Sequence, residues 1–129
     1  MAKKLLLDTS FLMRMFQGPL KLFERIELEL GKVEPVVSDT VLEELKRLAS
    51  SRSVKKRRVA QRALAYIEEL KMAAIPSEEK ADDAILHHAV SQGLAVATLD
   101  QALIKKLRGA NVTVVTCKGD EVVVEGSMV

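Results

Sequence analysis

Short apolar runs alternate with helix-like segments along the whole chain, and this alternation limits the possible folds more than any other feature. Five of the runs are predicted to be buried strands: Lys4–Leu7, Pro35–Ser38, Met72–Ile75, Leu94–Thr98 and Val112–Val115. A sixth strand, Glu121–Val124, is predicted at the edge. Strands that alternate with helices form a mostly parallel sheet with helices on both faces. The sequence therefore predicts an α/β protein, a three-layer α/β/α sandwich.

Six helices are predicted between these strands. Their limits are Phe11–Phe16, Pro19–Leu30, Thr40–Ala49, Val54–Glu69, Lys80–Gln92 and Ala102–Arg108. Gly31, Gly93 and Gly109 are expected to end three of them, and Ser38 or Asp39 can cap the helix that follows the second strand.

Length and composition predict one soluble domain over residues 1–129. Hydrophobic residues make up 48% of the chain and charged residues 29%, which is too apolar for a disordered protein. No apolar run is long enough for a membrane span or a signal peptide, so we expect a cytoplasmic protein without membrane contact. Cys117 is the only cysteine, which excludes an internal disulfide.

Positive charge is concentrated in one segment, which we call the basic block. Eight basic residues and no acidic residue lie between Leu45 and Ile67, while the rest of the chain has a net charge of −6. This distribution favours a polyanionic partner, with nucleic acid first. The alternative is an ordinary solvated helix face. The block consists of Lys46, Arg47, Arg52, Lys55, Lys56, Arg57, Arg58 and Arg62.

Two acidic residues follow predicted strands directly. Asp8 comes after the first strand and Asp100 after the fourth. Ligands of open α/β sheets bind beyond the carboxyl ends of the strands, so both side chains are expected in that crevice.

Two further acidic residues are placed by helical phase. Glu44 lies three residues after Val41 and four before Leu48, in phase with the inward stripe, whereas Glu43 is rotated toward solvent. Asp82 precedes Ile85, Leu86 and Ala89 by three, four and seven residues. Asp83 matches that stripe less well and points toward the side of His87.

Four carboxylates in one partly buried crevice would repel each other unless cations neutralised them. Oxygen ligands of this kind suit Mg²⁺ or Mn²⁺. The alternative is that each acid is a helix cap or a surface charge. A phospho-receiver domain also has acids at strand ends, but Lys118 comes late for its lysine.

In order and context, four short motifs resemble the PIN-domain ribonuclease family. They are Asp8-Thr9-Ser10, Glu44-Leu45, Asp82-Asp83-Ala84-Ile85 and Thr98-Leu99-Asp100. The resemblance implies a Mg²⁺- or Mn²⁺-dependent endoribonuclease. Asp8, Glu44, Asp82 and Asp100 would be catalytic and bind the metal. Asp83 would be an outer ligand or a helix N-terminal charge, and Ser10 and Thr98 would orient an aspartate or a water.

The resemblance leaves the cellular role open between rRNA processing and the toxin of a toxin–antitoxin pair. It implies RNA as one partner and an antitoxin or a ribosome-assembly protein as another. The RNA phosphates would be bound by Arg52, Lys55, Lys56, Arg57, Arg58 and Arg62. An apolar stripe over Phe16, Leu20, Phe23 and Ile26 fits either a homodimer or ordinary core burial. The alternative function is a catalytically inactive RNA-binding or assembly module of the same fold.

Overall fold

A six-stranded sheet runs through the computed structural model, which describes residues 3–18, 21–76 and 81–126 and, for residues 81 and 82, the backbone only. The spatial order is β3-β2-β1-β4-β5-β6; β1 to β5 are parallel, and β6 is antiparallel to β5. The strands are β1 Lys3–Leu7, β2 Val33–Ser38, β3 Ala73–Ile75, β4 Ala95–Ala97, β5 Val114–Lys118 and β6 Glu121–Glu125. Each predicted strand, including the edge strand, is confirmed.

The helices of the described residues are α1 Thr9–Met15, α2 Leu22–Leu30, α3 Asp39–Leu48, α4 Val54–Glu69, α5 Ala81–Gln92 and α6 Gln101–Gly109. The predicted start of α1 at Phe11 is wrong by two residues, because Asp8 is already its N-cap. Ser38 caps α3 as expected, its hydroxyl accepting the Val41 N–H. The predicted starts of α2 and α5, at Pro19 and Lys80, lie outside the described residues.

The chain changes direction across the sheet between β1 and β4. The connections β1→β2→β3 move one way and β4→β5 the other, so right-handed crossovers place their helices on opposite faces. Such a reversal opens a crevice at the carboxyl ends of the two central strands. Asp8 follows β1 and Thr98 follows β4 at this point.

Strand register brings polar side chains to one level along this edge. Leu7 is paired with Ala97, and the Asp8 N–H donates to the Ala97 carbonyl at 2.9 Å. Continuing the register places Asp8 between Ser38 of β2 and Thr98, and the Thr98 N–H donates to Val115 on β5 at 3.0 Å. The central strands are apolar and buried just below this level and polar at their carboxyl edge.

The core lies on both faces of the parallel strands. Leu5–Leu7, Val36–Val37, Ala95–Ala97 and Val114–Val115 are buried, as expected for a sheet covered by helices. Ile26 is buried, and Phe16 and Phe23 pack against the core, so the described part of the proposed dimer stripe serves core packing. Leu20 of that stripe lies outside the described residues. Among the described helices, none is long and apolar enough to cross a membrane.

Candidate active site

Asp8 is the centre of a hydrogen-bonded network at the crevice. Its side chain is only 6% exposed. Oδ2 accepts a hydrogen bond from Thr98 Oγ1 at 2.6 Å and another from Ser10 Oγ at 2.9 Å. One carboxylate oxygen is thus held from two sides, by the first turn of α1 and by the end of β4.

Backbone donors fix the direction of these two hydroxyl bonds. The Leu99 N–H donates to Ser10 Oγ at 3.0 Å, and the Asp100 N–H donates to Thr98 Oγ1 at 3.1 Å. Each hydroxyl accepts a hydrogen bond from a backbone N–H and donates its own hydrogen bond to Oδ2 of Asp8. The structure thus brings Ser10 and Thr98 to Asp8, and their part in catalysis stays a prediction.

Burial raises the pKa of the Asp8 carboxyl above its ordinary value of 3.8. Hydrogen bonds from Thr98, Ser10 and the Thr9 backbone act in the opposite direction, because they stabilise the ionised form. The negative charge of Glu44 raises the pKa further, which places Glu44 within electrostatic reach of Asp8. Asp8 is therefore a carboxylate that a nearby cation would stabilise.

Glu44 and Glu43 occupy the two environments that helical phase predicts. The Glu44 side chain is half-buried and the Glu43 side chain is exposed, while Val41 and Leu45 of the same helix are buried. The inward face of α3 therefore presents Glu44, and not Glu43, toward the crevice.

Asp100 acts as the N-cap of α6. Its Oδ1 accepts the Ala102 N–H at 2.9 Å and the Leu103 N–H at 3.1 Å. The cap uses Oδ1 for both bonds and does not use Oδ2. Through its own N–H, Asp100 is also connected to Thr98 and so to Asp8. The same residue can therefore stabilise the helix and keep a carboxylate oxygen at the crevice.

Two of the predicted metal ligands, Asp82 and Asp83, belong to α5, and the structure describes the side chain of Asp83 only. The backbone of Asp82 lies in the first turn of α5, and its side chain lies outside the described part of the structure. Asp83 is exposed and lines a shallow hollow with Leu86, His87 and Val90, as the sequence indicated. Among the described side chains, no three His, Cys, Asp or Glu residues stand close enough to hold a metal ion.

The donor set still suits a hard divalent cation. Asp8 and Glu44 offer oxygen ligands, and Mg²⁺ and Mn²⁺ prefer such ligands. The negative charge of Glu44 repels that of Asp8 and raises the pKa of Asp8, and a cation bound between them would offset this repulsion. The residues described at the crevice therefore fit an oxygen-ligated divalent ion.

The basic block extends from the end of α3 through the connecting loop into α4, and these two helices pack against each other as a hairpin. The described ion pairs, Arg14–Asp120 and Arg108–Glu125, lie outside the block. Its side chains are exposed except for Arg57, which is half-buried and donates from Nη1 to the Ser51 carbonyl at 3.2 Å. Arg57 therefore braces the hairpin, a role with no signal in the sequence.

Residues 5–120 match the family described as "PIN like domain". This match covers most of the chain, and the chain belongs to that family, which confirms the resemblance of its motifs. Among its relatives is "Ribonuclease VapC4" of Methanocaldococcus jannaschii (strain ATCC 43067 / DSM 2661 / JAL-1 / JCM 10045 / NBRC 100440). The two are 35% identical over 119 residues, 89% of this chain and 90% of the relative.

Solved structures show the same fold. The PIN domain endonuclease Utp24 superimposes with a TM-score of 0.77 at 25% identity, covering 96% of this chain and 92% of the other. A domain of a functionally unknown protein from Methanocaldococcus jannaschii DSM 2661 has a TM-score of 0.64 at 17% identity, covering 98% and 99%. The predicted α/β architecture is confirmed.

Proposed function

We propose that this chain is a metal-dependent endoribonuclease that hydrolyses phosphodiester bonds of single-stranded RNA. The observation that carries the proposal is Asp8: a buried carboxylate with a raised pKa, held at the sheet reversal and close to the charge of Glu44. Membership of the PIN-like family supports a nuclease. The names of two relatives, a ribonuclease and a PIN domain endonuclease, point the same way.

Asp8, Glu44, Asp82 and Asp100 would hold one or two Mg²⁺ or Mn²⁺ ions, with Asp83 as an outer ligand. Such an ion supplies Lewis acidity, which activates water and offsets negative charge at the phosphate. Asp82 enters this set from its place in the first turn of α5 and its phase with Ile85 and Ala89.

The chain's own residues prepare the site. Ser10 and Thr98 each donate to Oδ2 of Asp8, which restricts rotation of the carboxylate and favours its ionised form. Asp100 is held by the first turn of α6. The exposed residues of the basic block, Arg52, Lys55, Lys56, Arg58 and Arg62, would bind RNA phosphates, while Arg57 keeps the hairpin in shape.

Two cellular roles fit this activity: a toxin held inactive by an antitoxin, and a nuclease that processes rRNA beside ribosome-assembly factors. Purification of the tagged protein from cells of its native organism, followed by identification of what copurifies with it, distinguishes the two roles. A small protein partner that blocks cleavage supports the first role, and pre-ribosomal RNA supports the second. The alternative of an inactive RNA-binding module requires a degraded site, whereas the Asp8 network is intact.

The substrate class is tested with labelled oligonucleotides of one sequence. Single-stranded RNA, double-stranded RNA and single-stranded DNA are incubated with the protein in Mg²⁺, Mn²⁺ or EDTA. We expect internal cleavage of single-stranded RNA in either metal and none in EDTA. Cleavage that persists in EDTA, or an RNA left intact in every divalent ion, would refute the proposal.

A further inference from the structure

The basic residues of α4 point in different directions, and Lys56 stands apart from the others. The inward face of α4 is defined by its buried residues, which include Ala60, Ala63 and Ile67. Lys56 precedes these three by four, seven and eleven residues and therefore lies on the same face. It is nevertheless exposed, because the first buried residue of α4 is Val59.

Three other basic residues form a separate row. Lys55, Arg58 and Arg62 are spaced by three and four residues, lie on the outer side of the helix, and are all exposed. Arg57 is engaged with the Ser51 carbonyl. Of the basic residues of α4, a helix that the structure describes in full, Lys56 alone shares the face of Ala60, Ala63 and Ile67.

The packing of α1 against α4 indicates the level of Lys56 relative to the carboxyl edge of the sheet. Both helices begin at the carboxyl edge of the sheet, since α1 follows β1 directly and α4 leads to the start of β3. The Phe16 and Tyr66 rings meet with centroids 5.3 Å apart. Seven residues earlier, these helices have Thr9 and Val59, which places Val59 near the level of Thr9.

Lys56 precedes Val59 by three residues and then stands about 4.5 Å beyond that level. The exposure of Lys56 means that the inward face of α4 is no longer covered at this position. From this placement we infer that Lys56 is directed toward the carboxyl edge of the sheet, where Asp8 and Glu44 form the negative crevice. The flexible lysine stem carries a compact charge into this space.

We propose that Lys56 binds a substrate phosphate at the mouth of the crevice, whereas Lys55, Arg58 and Arg62 bind phosphates farther along the strand. This inference rests on the proposed function and divides the basic block into an inner contact and an outer row. The inner contact would hold even a very short RNA over the carboxylates. The outer row would engage only an RNA long enough to extend past the crevice.

The adjacent lysines provide a matched test. We would compare Lys56→Gln with Lys55→Gln, binding an RNA trinucleotide and an RNA dodecamer in Ca²⁺ at fixed ionic strength. Lys56→Gln should weaken trinucleotide binding about tenfold, the size expected for loss of a charge-assisted contact. Lys55→Gln should change it less than about twofold while still weakening the dodecamer. Lys56→Arg should restore most of the affinity.

Folding does not confound this comparison. The helix cap uses the Lys56 backbone N–H, which donates to Ser53 Oγ, so both glutamine variants keep the cap. Equal thermal midpoints for wild type, Lys55→Gln and Lys56→Gln are expected. In single-turnover cleavage, Lys56→Gln should also be the slower variant on the dodecamer at saturating protein.

The outcomes separate the inference from the proposed function. If wild type binds both RNAs and cleaves the dodecamer, but the two glutamine variants lose trinucleotide affinity equally, the inner role of Lys56 is wrong and the nuclease proposal stands. If wild type binds neither RNA, both are overturned. If wild type binds both without cleaving, and only Lys56→Gln loses the trinucleotide, the inner contact stands on a non-catalytic RNA-binding protein.

Discussion

The hydroxyl of Thr98 donates a 2.6 Å hydrogen bond to Oδ2 of Asp8 and so joins the ends of two neighbouring parallel strands. The bond lies where the strand order reverses, between β1 and β4. Ser10 donates to the same oxygen from the first turn of α1. The orientation of the central carboxylate therefore depends on side chains from two other segments, and this dependence can be measured.

Thr98, which donates to Asp8, and Thr9, its neighbour in sequence, should respond differently to replacement by valine. Thr98→Val removes the donor to Asp8 and the acceptor for the Asp100 N–H, and should lower the free energy of unfolding by about 1–3 kcal/mol. Within the described residues, the buried hydroxyl of Thr9 has no hydrogen-bond partner, so Thr9→Val should be neutral or slightly stabilising. Urea denaturation in EDTA compares them. Equal losses would contradict the network.

The raised pKa of Asp8 predicts a pH dependence of stability in the metal-free protein. Above pH 3.8 the unfolded chain ionises Asp8, while the folded chain retains the proton until its higher pKa is reached. The folded state binds more protons in this window, so its stability falls as pH rises. Asp8→Asn lacks this contribution. We therefore expect the unfolding free energy of Asp8→Asn minus that of wild type to increase as pH rises above 3.8 and to become constant above the folded pKa. A difference that decreases with rising pH would contradict the raised pKa of Asp8.

Much of this fold could be predicted from the sequence because the parallel strands are buried on both faces. Runs such as Leu5–Leu7 and Ala95–Ala97 are uninterrupted and end at polar residues, which marks both the strand and its carboxyl end. Helical phase separated Glu44 from Glu43, since the apolar neighbours Val41 and Leu45 define the buried face. In each case the signal is local.

The rest depends on long-range geometry. No pattern indicated that the Leu99 and Asp100 amides would orient the hydroxyls of Ser10 and Thr98, because backbone donors have no sequence signature. From the sequence, a helix cap and a site residue are alternatives for Asp100, whereas in the structure its cap uses only Oδ1 and leaves Oδ2 available. The brace from Arg57 to Ser51 depends on the shape of the α3–α4 turn and not on residue type.

Adjacent glutamates on α3 provide a test of the metal site. Glu44→Gln removes a proposed carboxylate ligand, so it should weaken Mn²⁺ binding and abolish most cleavage. It also removes the negative charge that raises the pKa of Asp8, so it should increase the stability of the metal-free protein. Glu43 is exposed, and its loss should cost at most about 0.5 kcal/mol and leave cleavage nearly intact. Mn²⁺ titration calorimetry and single-turnover assays on both variants check this. A greater loss in Glu43→Gln would reverse the assignment of the inward face.

Neutralising the outer row of α4 should change the salt dependence of RNA binding. Replacing Lys55, Arg58 and Arg62 by Gln removes three predicted phosphate contacts, each of which contributes about 0.7 to the slope of log affinity against log salt for a single strand. These side chains are exposed, so stability should change little. Fluorescence anisotropy with a dodecamer over a salt series measures the slope. A slope equal to that of wild type would mean that this row only faces solvent.

The role of Asp8 is tested by the cleavage of single-stranded RNA by wild type and Asp8→Asn, purified side by side and assayed under single-turnover conditions. A contaminating nuclease would be equally present in both preparations, so the difference reports on the Asp8 crevice itself. We expect cleavage by wild type that appears with Mg²⁺ or Mn²⁺ and disappears with EDTA, and a rate at least about a hundredfold lower for the folded variant. Equal rates for the two proteins would contradict a catalytic role of Asp8.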